Sequence, residues 1–419
     1  MKFWVNLKVK VSVFFHYLPL VFKGELKFKE FTSFLKRMKL FLSKLQQNKF
    51  WAMKNGMRLE LYVPSFGTPA FYTACDKFKV FNQKMPCSGV LVSITRACMY
   101  QCEHCYQRLD RGEDTPIQLL VDTVKKLQDM GIAFFNIEGG EPFLLYDRLK
   151  AVCDVIDHRS EIWINSTGYG ITKEKLKGLN CTGIMFSLHS PSPEQFDEFM
   201  GREDAWENMQ NGIKLCREEG IPIAFNVCLL KEAFSDGTFE KIMNIARKEE
   251  ACMVQIIKPK PAGAWLDKEE VFFSEKDIED AKEKINLYNL DKKYATYPPV
   301  YAQIIEEDPS MFGCTAGGTD RFYINAKGDV QPCEFLNISF GNINEEPFEG
   351  IYNKMRAYFD KPGNCMLCEE SAGQIHKIFK ENRLNALPLN ATLSKGVYQN
   401  WDRGENTELY EKLSECLQK

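Results

Sequence analysis

The 419-residue sequence lacks internal repeats, low-complexity tracts and any long unbroken hydrophobic run. The apolar stretch from Val11 to Phe22 is interrupted by His16 and Pro19, and no Ala-x-Ala-like cleavage site follows it. At about a dozen residues, this stretch is shorter than the roughly 20 that a membrane-spanning helix needs. We therefore predict neither a secretory signal peptide nor a transmembrane span.

The composition is that of a folded protein with an uneven distribution of charge. Hydrophobic residues make up 44% of the chain and aromatic residues 13%, and the length suits two or three domains. The net charge is −3, but residues 1–58 contain thirteen Lys or Arg and only two acidic residues. This segment therefore carries +11 and the remainder −14. A basic arm on an acidic body favours an anionic partner, either a membrane surface or a nucleic acid.

Fifteen cysteines are many for a chain of this length. A secreted disulfide framework would place them at loop spacings behind a signal peptide. Here seven lie in two local groups, and most others stand singly in apolar patterns, which is typical of free cysteines in a core. The pattern predicts a protein of the reducing cytoplasm. The cysteines interpreted as core residues are Cys153, Cys181, Cys216, Cys228 and Cys252.

The basic arm, residues 1–58, contains one clear amphipathic helix. Its apolar residues recur at helical spacing, and four basic residues occupy much of its other face. Such helices commonly lie on anionic membranes, which would place the protein peripherally at the inner face of the membrane. The alternative is a helix packed on the body of the protein with its lysines in solvent. The apolar set is Phe31, Phe34, Leu35, Met38, Leu42 and Leu45, and the basic set is Lys36, Arg37, Lys39 and Lys44.

After a connector at residues 59–88, which includes a short strand-like segment at Leu59–Val63, strand and helix patterns alternate about six times. This alternation indicates βαβ units around a parallel sheet. We predict an α/β fold with a partial, TIM-like (β/α)6 barrel over residues 89–263. Residues 264–312 form a helical linker, residues 313–370 a small Cys-rich module and residues 371–419 C-terminal helices. The predicted strands are Val90–Thr95, Ala133–Glu138, Glu161–Asn165, Gly183–Leu188, Ile221–Leu230 and Met253–Lys258.

The first cysteine group follows the first predicted barrel strand. Cys98, Cys102 and Cys105 have the spacing C-x3-C-x2-C. Three thiolates on one loop can hold three corners of a cubane iron–sulfur cluster and leave the fourth iron open for a ligand. A zinc site completed by His104 is the alternative, but adjacent His104 and Cys105 are awkward joint ligands of one tetrahedral ion.

With this motif at this place, residues 88–260 resemble the radical S-adenosylmethionine (SAM) superfamily. The resemblance implies a [4Fe–4S] cluster whose open iron takes the amino and carboxylate groups of SAM. It further implies that an injected electron, usually from a flavodoxin or ferredoxin, cleaves SAM to methionine and a 5′-deoxyadenosyl radical. That radical would abstract hydrogen from a substrate.

The same resemblance implies a SAM site at the carboxyl ends of the strands, where ligands of parallel sheets generally bind. Gly139, Gly140 and Glu141 match the family's GGE motif, which receives the methionine amino group. Asn165, Ser187 and Asn226 end the third, fourth and fifth strands and are further candidates, with Gln255 a weaker one. His189 stands where relatives usually have an acid, and we assign it no role. No catalytic residue is assigned.

The second group comprises Cys314, Cys333, Cys365 and Cys368, arranged around a predicted hairpin. Spacing alone fits a zinc ribbon or an iron–sulfur site. The order of a cysteine, a hairpin and a later Cys-x2-Cys resembles the SPASM/twitch extension of radical SAM enzymes. A full SPASM domain has seven cysteines for two clusters, whereas only Cys416 follows here. The resemblance therefore implies one auxiliary [4Fe–4S] cluster held by these four cysteines.

The substrate is less well indicated. The basic arm favours a lipid or lipid-linked molecule over the peptide of a peptide-modifying SPASM maturase, and no cobalamin-binding domain is apparent. A non-catalytic iron–sulfur or zinc protein is the alternative of another class, although the GGE motif argues against it. We expect no nucleic-acid partner, because no recognisable binding module is present. Candidate substrate-side residues beside the auxiliary cysteines, each with a structural role as the alternative, are Asp320, Arg321, Tyr323 and Glu334.

Overall fold

A nine-stranded, mostly parallel sheet organises the chain in a computed structural model that describes residues 2–44, 49–79, 87–360 and 362–416. The α-helices are α1 (Lys2–Phe22), α2 (Phe28–Lys44), α3 (Pro69–Asp76), α4 (Ile117–Asp129), α5 (Tyr146–Asp154), α6 (Lys173–Lys177), α7 (Pro193–Met200), α8 (Ala205–Glu218), α9 (Thr238–Lys248), α10 (Glu275–Leu290), α11 (Gln303–Glu306), α12 (Phe348–Tyr358), α13 (Leu367–Glu381), α14 (Ala391–Tyr398) and α15 (Glu408–Glu415). The strands are β1 (Trp51–Met53), β2 (Gly56–Arg58), β3 (Gly89–Ser93), β4 (Phe134–Glu138), β5 (Glu161–Ser166), β6 (Gly183–Ser187), β7 (Ile223–Cys228), β8 (Val254–Ile257), β9 (Val300–Ala302), β10 (Tyr323–Ile324) and β11 (Val330–Gln331).

The strand order is β11-β10-β3-β4-β5-β6-β7-β8-β9, so the six central strands follow one another in chain order. Helices α4 to α9 connect these strands or follow them, as the alternating pattern predicts. The α/β fold with a parallel sheet, a helical N-terminal arm and a small C-terminal module is confirmed. The strand order has two free ends, which agrees with a partial barrel.

Two features at the edges of the sheet were not predicted. Strand β9 lies within the segment interpreted as a helical linker, and it pairs in parallel with β8. The hairpin β10–β11 of the Cys-rich module was predicted, but its attachment to the barrel was not: Tyr323 of β10 pairs with Leu91 of β3. Both edge strands are only two or three residues long, so their hydrophobic patterns are too short to show periodicity.

The N-terminal arm is a pair of packed helices. The apolar face of α2, with Phe31, Phe34 and Met38, is buried against Val9 and Tyr17 of α1 and against α3. The packed alternative is therefore correct for α2, whereas the prediction that this face lies on a membrane is wrong. Arg37 is also fully buried, and its guanidinium donates to the carbonyl of Phe78 over 2.7 Å. Leu45 lies outside the described residues.

Helix α1 differs from the prediction in length. It continues through His16 and Pro19, and from Phe3 to Phe22 it is long and apolar enough to cross a membrane by length and composition. The expectation that the apolar stretch is too short was wrong, because the helix begins nine residues before Val11. Polar residues in its first turns disguise this continuity in the sequence.

The predicted strand-like segment Leu59–Val63 is not a strand. The buried guanidinium of Arg58 donates to the carbonyls of Leu61 (3.1 Å) and Val63 (2.8 Å) and forms an ion pair with Glu161 of β5. The chain therefore wraps around a buried cation instead of joining a sheet. This wrapping places Tyr62 beside the barrel, where it accepts a 2.6 Å hydrogen bond from Gln255.

Candidate active site

The inside of the barrel is built in layers, because alternate residues of each strand point inward. The lowest layer is apolar and closes one end, with Phe134, Trp163, Met185, Ala224 and Met253 in one cluster. Two residues further along the strands the inward side chains become polar. This polar layer opens into a cavity at the carboxyl ends of the strands, and its members are Asn136, Asn165, Ser187, Asn226 and Gln255.

The first cysteine group lies on the loop that leaves β3 and lines this cavity. Cys98 is exposed, and Cys102 and Cys105 are partly exposed. Three thiols on one short loop around one cavity fit a cubane that is held at three corners. Partial burial raises the pKa of the Cys102 and Cys105 thiols above the ordinary value. Loading with iron must therefore displace protons from them.

The segment Gly139–Gly140–Glu141 packs directly against the start of this loop. The amide of Gly140 donates to the carbonyl of Thr95 over 2.7 Å, and the amide of Glu141 to that of Ala97 over 2.8 Å. A Cβ on Gly139 would lie 2.6 Å from the Thr95 carbonyl oxygen. Only glycine permits this approach, so the two glycines hold their backbone beside the cysteines and line the same cavity.

The carboxylate of Glu141 does not line the cavity. It is fully buried and accepts four hydrogen bonds, from the Phe143 amide, the Ser166 hydroxyl, and the amide and hydroxyl of Thr167. The side chain therefore joins the end of β4 to the end of β5. The prediction that Glu141 belongs to the methionine-amino site stays a prediction, and the geometry gives its side chain a positioning role.

The other predicted SAM residues, Asn165, Ser187 and Asn226, all line the cavity together with the cysteines and the two glycines. They come from neighbouring strands: Ser187 is paired with Asn226 across β6 and β7. Gln255 of β8 is paired with Asn226 in turn. The structure thus brings these residues together, although their contacts with SAM remain predictions.

His189 belongs to an aromatic group at the wall of the cavity. Its ring lies 4.3 Å from that of His104 and 5.2 Å from that of Phe199. Its Nδ1 accepts a 3.0 Å hydrogen bond from the Cys228 amide, and burial holds its pKa well below the ordinary histidine value. A neutral imidazole in this place supports the backbone of β7. His104 therefore packs in this aromatic group. Within the described ranges, no three His, Cys, Asp or Glu side chains are arranged around one point so that they could hold a single metal ion.

Sequence reasoning missed the most unusual group in the cavity, Glu138. This residue ends β4 beside the glycines; its carboxylate accepts hydrogen bonds from the Tyr106 hydroxyl (2.5 Å) and the Asn165 amide (3.0 Å). The Gln107 amide donates to the Tyr106 hydroxyl (2.8 Å) and to Ser93 (2.9 Å). Burial raises the pKa of Glu138 to about 8. The available signal was a glutamate directly before two glycines, but the motif interpretation covers only Gly139, Gly140 and Glu141 and gives Glu138 no role.

The second cysteine group lies beside a second, largely apolar cavity, which Cys314, Cys333 and Cys368 line. The amide of Cys314 donates to the Gly363 carbonyl over 2.9 Å, which brings it to the segment that contains Cys365. Three of the four thiols thus border one cavity and Cys365 lies on the neighbouring segment, while their role as ligands of one iron–sulfur cluster stays a prediction. Cys416 lies apart at the end of α15, where its thiol bonds the Lys412 carbonyl.

The two cavities share a wall formed by Tyr62, Lys260 and Phe335. Lys260 is buried between the carboxylates of Glu307 (2.7 Å) and Glu369 (2.8 Å), and Glu369 directly follows Cys368. The barrel cavity and the cavity beside the Cys-rich module are therefore direct neighbours, separated by these side chains.

The four candidate residues beside the auxiliary cysteines have different surroundings. Asp320 forms an ion pair with Lys77, and Tyr323 donates to Ser93 over 3.0 Å. Glu334 lines the barrel cavity, and its carboxylate lies 3.7 Å from the guanidinium of Arg321, which lines the second cavity. Asp320 also lines the second cavity, so three of the four candidates border a cavity, and their roles stay predictions.

Comparison with known proteins agrees with this geometry. The sequence matches the radical SAM superfamily over residues 92–246 and an iron–sulfur cluster-binding domain, SPASM, over residues 314–370. It is 25% identical over 317 residues to an AdoMet-dependent heme synthase of Nitratidesulfovibrio vulgaris, covering 68% of this chain and 85% of that protein. It is 24% identical to an AdoMet-dependent heme synthase of Methanosarcina barkeri, covering 66% of this chain and 86% of that protein.

Among solved structures, SuiB of Streptococcus suis bound to the precursor peptide SuiA superposes with a TM-score of 0.53 at 15% identity, over 66% of this chain and 68% of that one. This likeness shows a shared fold. The radical SAM match covers the cysteine loop and the two glycines that line the barrel cavity. The SPASM match covers the second cysteine group, which lies beside the second cavity. The chain therefore belongs to the radical SAM superfamily and is an enzyme with a [4Fe–4S] cluster and SAM as cofactors and a C-terminal SPASM iron–sulfur domain.

Proposed function

We propose that this radical SAM enzyme works at the inner face of an anionic membrane on a lipid or lipid-linked substrate. In this superfamily the cluster and SAM supply a 5′-deoxyadenosyl radical that abstracts hydrogen. The single observation that carries the membrane proposal is the outer face of α1, which exposes a row of large apolar side chains. Phe3 and Trp4 are each 70% exposed, and Phe15 is 66% exposed.

The exposed row is one face of the helix. Successive residues of an α-helix are about 100° apart, so Trp4, Leu7, Val11 and Phe15 fall within one sector, and all are exposed. The opposite sector is buried against the arm and the body and contains Val5, Val9, Val13 and Tyr17. On the same wheel Lys8 and Lys10 border the apolar row on its two sides.

An apolar face with lysines at both borders is the arrangement of a helix that lies in a membrane interface. The apolar side chains enter the lipid while the lysines reach anionic headgroups, each contributing about 1 kcal/mol near the surface. The buried sector is occupied by contacts such as the hydrogen bond from the Tyr17 hydroxyl to the carboxylate of Asp76, 2.6 Å long. In this packing α1 lies along the membrane and does not cross it.

The second cavity supports an amphiphilic substrate. It is lined by Met38, Phe41 and Leu42 of α2, so it reaches from the arm to the auxiliary cysteines, and it shares a wall with the barrel cavity. An acyl or prenyl chain in the apolar cavity would leave the polar end of the same molecule in the polar barrel. The arm, the apolar cavity and the reaction site then follow one another along a single path from the lipid surface.

Flotation with liposomes tests this proposal. We expect the anaerobically reconstituted protein to float with vesicles that contain 30 mol% phosphatidylserine, on the order of tenfold more than with phosphatidylcholine alone. The double variant Trp4→Ser/Phe15→Ser should lose most of this binding, because it removes the two largest exposed side chains without touching the buried sector. Phe272→Ser removes another exposed aromatic residue, 42% exposed and outside the arm, and should float like the wild type.

Equal flotation of the double variant and the wild type would contradict the membrane assignment. Equal binding to neutral and anionic vesicles would contradict the role of Lys8 and Lys10. Point substitutions are preferable to truncation, because removing α1 would expose the apolar face of α2.

A tetrapyrrole is a second candidate substrate, supported by the similarity to two AdoMet-dependent heme synthases over more than 300 residues. The largely apolar lining of the second cavity suits the faces of a flat macrocycle. Iron coproporphyrin III added to the reconstituted enzyme should then show a shifted Soret band. An unchanged spectrum together with membrane binding would favour the lipid substrate.

Radical SAM enzymes need an electron donor, and we propose a flavodoxin or ferredoxin for this one. The cluster loop supports it, because Cys98 is exposed and Met99 beside it is 48% exposed. A small redox protein can therefore approach the loop closely.

All fifteen cysteines lie outside any disulfide, which supports our proposal of a reducing cytoplasm.

A further inference from the structure

Several amide oxygens beside the barrel cavity have no hydrogen-bond partner among the described residues. Asn136 is 6% exposed and lines the cavity, and its Oδ1 has no hydrogen-bond partner among the described residues. It stands two residues before Glu138 on β4, so both side chains point to the inside. A buried acceptor without a partner costs stability, which is a sign that a ligand supplies the missing donor.

The orientation of the neighbouring amides follows from the Glu138 carboxylate. The NH2 group of Asn165 donates to that carboxylate. The Tyr106 hydroxyl also donates to the carboxylate, and it accepts a hydrogen bond from the NH2 group of Gln107. The amide oxygens of Asn165 and Gln107 are thereby left over, and neither has a partner in the part of the chain that the structure describes. With Glu138 ionised, the network thus uses its donors internally and leaves these oxygens buried without a donor beside the cavity.

Glu138 itself is 5% exposed, and in the described ranges its hydrogen-bond partners are the neutral side chains of Tyr106 and Asn165. Glu334, which lines the same cavity, adds a second carboxylate whose field acts on Glu138. Buried carboxylates are normally paired with a cation. The guanidinium of Arg321 also acts on Glu138, but within the described ranges its ion pair is with Glu334. A positively charged ligand with several N–H donors would therefore supply the partner that Glu138 lacks.

Building on the function proposed above, we infer that the reacting end of the substrate carries a primary ammonium group, which Glu138, Asn136 and Gln107 bind. Three N–H donors of an ammonium match one carboxylate oxygen and two amide oxygens. SAM also contains an ammonium group, but the residues predicted for SAM beside this set are Asn165 and Asn226, together with the glycines. Asn136 and Gln107 remain for the substrate.

Paired probes of equal chain length test the inference: n-octylamine and 1-octanol, titrated calorimetrically into the holoenzyme with SAM at pH 7.5. We expect octylammonium to bind about tenfold more tightly than octanol, the effect of one charge-assisted hydrogen-bonded contact. Glu138→Gln should abolish this preference, and Asn136→Leu should weaken octylammonium alone. Octanol binding that is unchanged in both variants shows that the cavity is still folded.

Glu174→Gln makes the same chemical change on the surface of α6 and should keep the wild-type preference. Equal affinity for the two probes, undetectable binding of octylammonium, or a preference that survives Glu138→Gln would overturn the inference. No vesicles are present, so a failure of membrane docking appears only in the flotation experiment and the two proposals fail separately.

Discussion

The hydroxyl and the amide of Thr167 both donate to the same carboxylate oxygen of Glu141, over 2.6 and 2.7 Å. The second oxygen accepts from Ser166 and from the Phe143 amide. This buried carboxylate therefore holds the ends of β4 and β5 together directly beneath the cysteine loop. Holding the strand ends together is a different role from direct contact with SAM, and the two roles can be measured separately.

Glu141→Ala should lower the free energy of unfolding of the apoprotein by about 3 kcal/mol, because several buried donors lose their acceptor. The affinity for SAM should also fall, since Gly139 and Gly140 lose their support. Urea unfolding measures the first effect, and binding of SAM to the reconstituted protein the second. Weaker SAM binding with unchanged stability would show instead that the carboxylate contacts SAM.

The ion pair of Arg58 and Glu161 at the closed end of the barrel predicts strong non-additivity. Arg58 is fully buried and Glu161 nearly so. Arg58→Met should cost about 3–5 kcal/mol, because it leaves a carboxylate buried without its cation. The double variant Arg58→Met/Glu161→Leu should be less destabilised than Arg58→Met alone. Urea unfolding of the cycle checks this, and additive effects would mean that the pair does not interact.

The raised pKa of Glu138 predicts a pH dependence of ligand binding. Burial raises this pKa to about 8, with Tyr106 and Asn165 as hydrogen-bond donors and Glu334 as the nearby carboxylate. The carboxyl must lose its proton to receive an ammonium ion, so octylammonium affinity should rise by roughly tenfold per pH unit from pH 6 towards 8 and then level off. Octanol binding should stay constant.

Calorimetry across this pH range is the measurement, and Glu138→Gln is its control, with a flat profile for both probes. A flat profile in the wild-type enzyme would mean that Glu138 is already ionised or does not contact the amine. An affinity that falls between pH 6 and 8 would mean that the protonated carboxyl is the binding form.

Iron content tests the prediction of one auxiliary cluster. Reconstituted wild-type protein should hold about eight iron atoms per chain, two [4Fe–4S] clusters. The triple variant Cys98→Ala/Cys102→Ala/Cys105→Ala should hold about four, and so should the quadruple variant that replaces the second group of cysteines by alanine. About twelve iron atoms in the wild type would indicate two auxiliary clusters and further ligands.

The sequence predicts the framework of the barrel well for a physical reason. The helix Ile117–Asp129 has the period of one buried face, and Phe134–Glu138 is a short segment buried at every position, as the central strands of parallel sheets are. Cys98, Cys102 and Cys105 are close in sequence, so their meeting in space needs no long-range information. Gly139 and Gly140 can likewise be predicted from the sequence, because two adjacent glycines indicate a site with no room for a side chain.

What the sequence conceals are groups assembled from distant segments. Tyr62 reaches the cavity only because the chain wraps around Arg58, and Lys260 is buried only because Glu307 and Glu369 converge on it. The exposed face of α1 was missed for a related reason. Both α1 and α2 have apolar faces, and only the packing shows which one is covered.

The central claim is that the cysteine loop, Cys98 to Cys105, forms a cluster that acts on SAM, and one measurement tests it most directly. Anaerobically reconstituted enzyme is reduced with dithionite in the presence of SAM, and 5′-deoxyadenosine is quantified by chromatography. We predict its formation by the wild type and none by Cys98→Ala, whose second cysteine group is intact. No 5′-deoxyadenosine from wild-type protein with a full complement of iron, or tetrahedral zinc bound at the loop, would contradict the account.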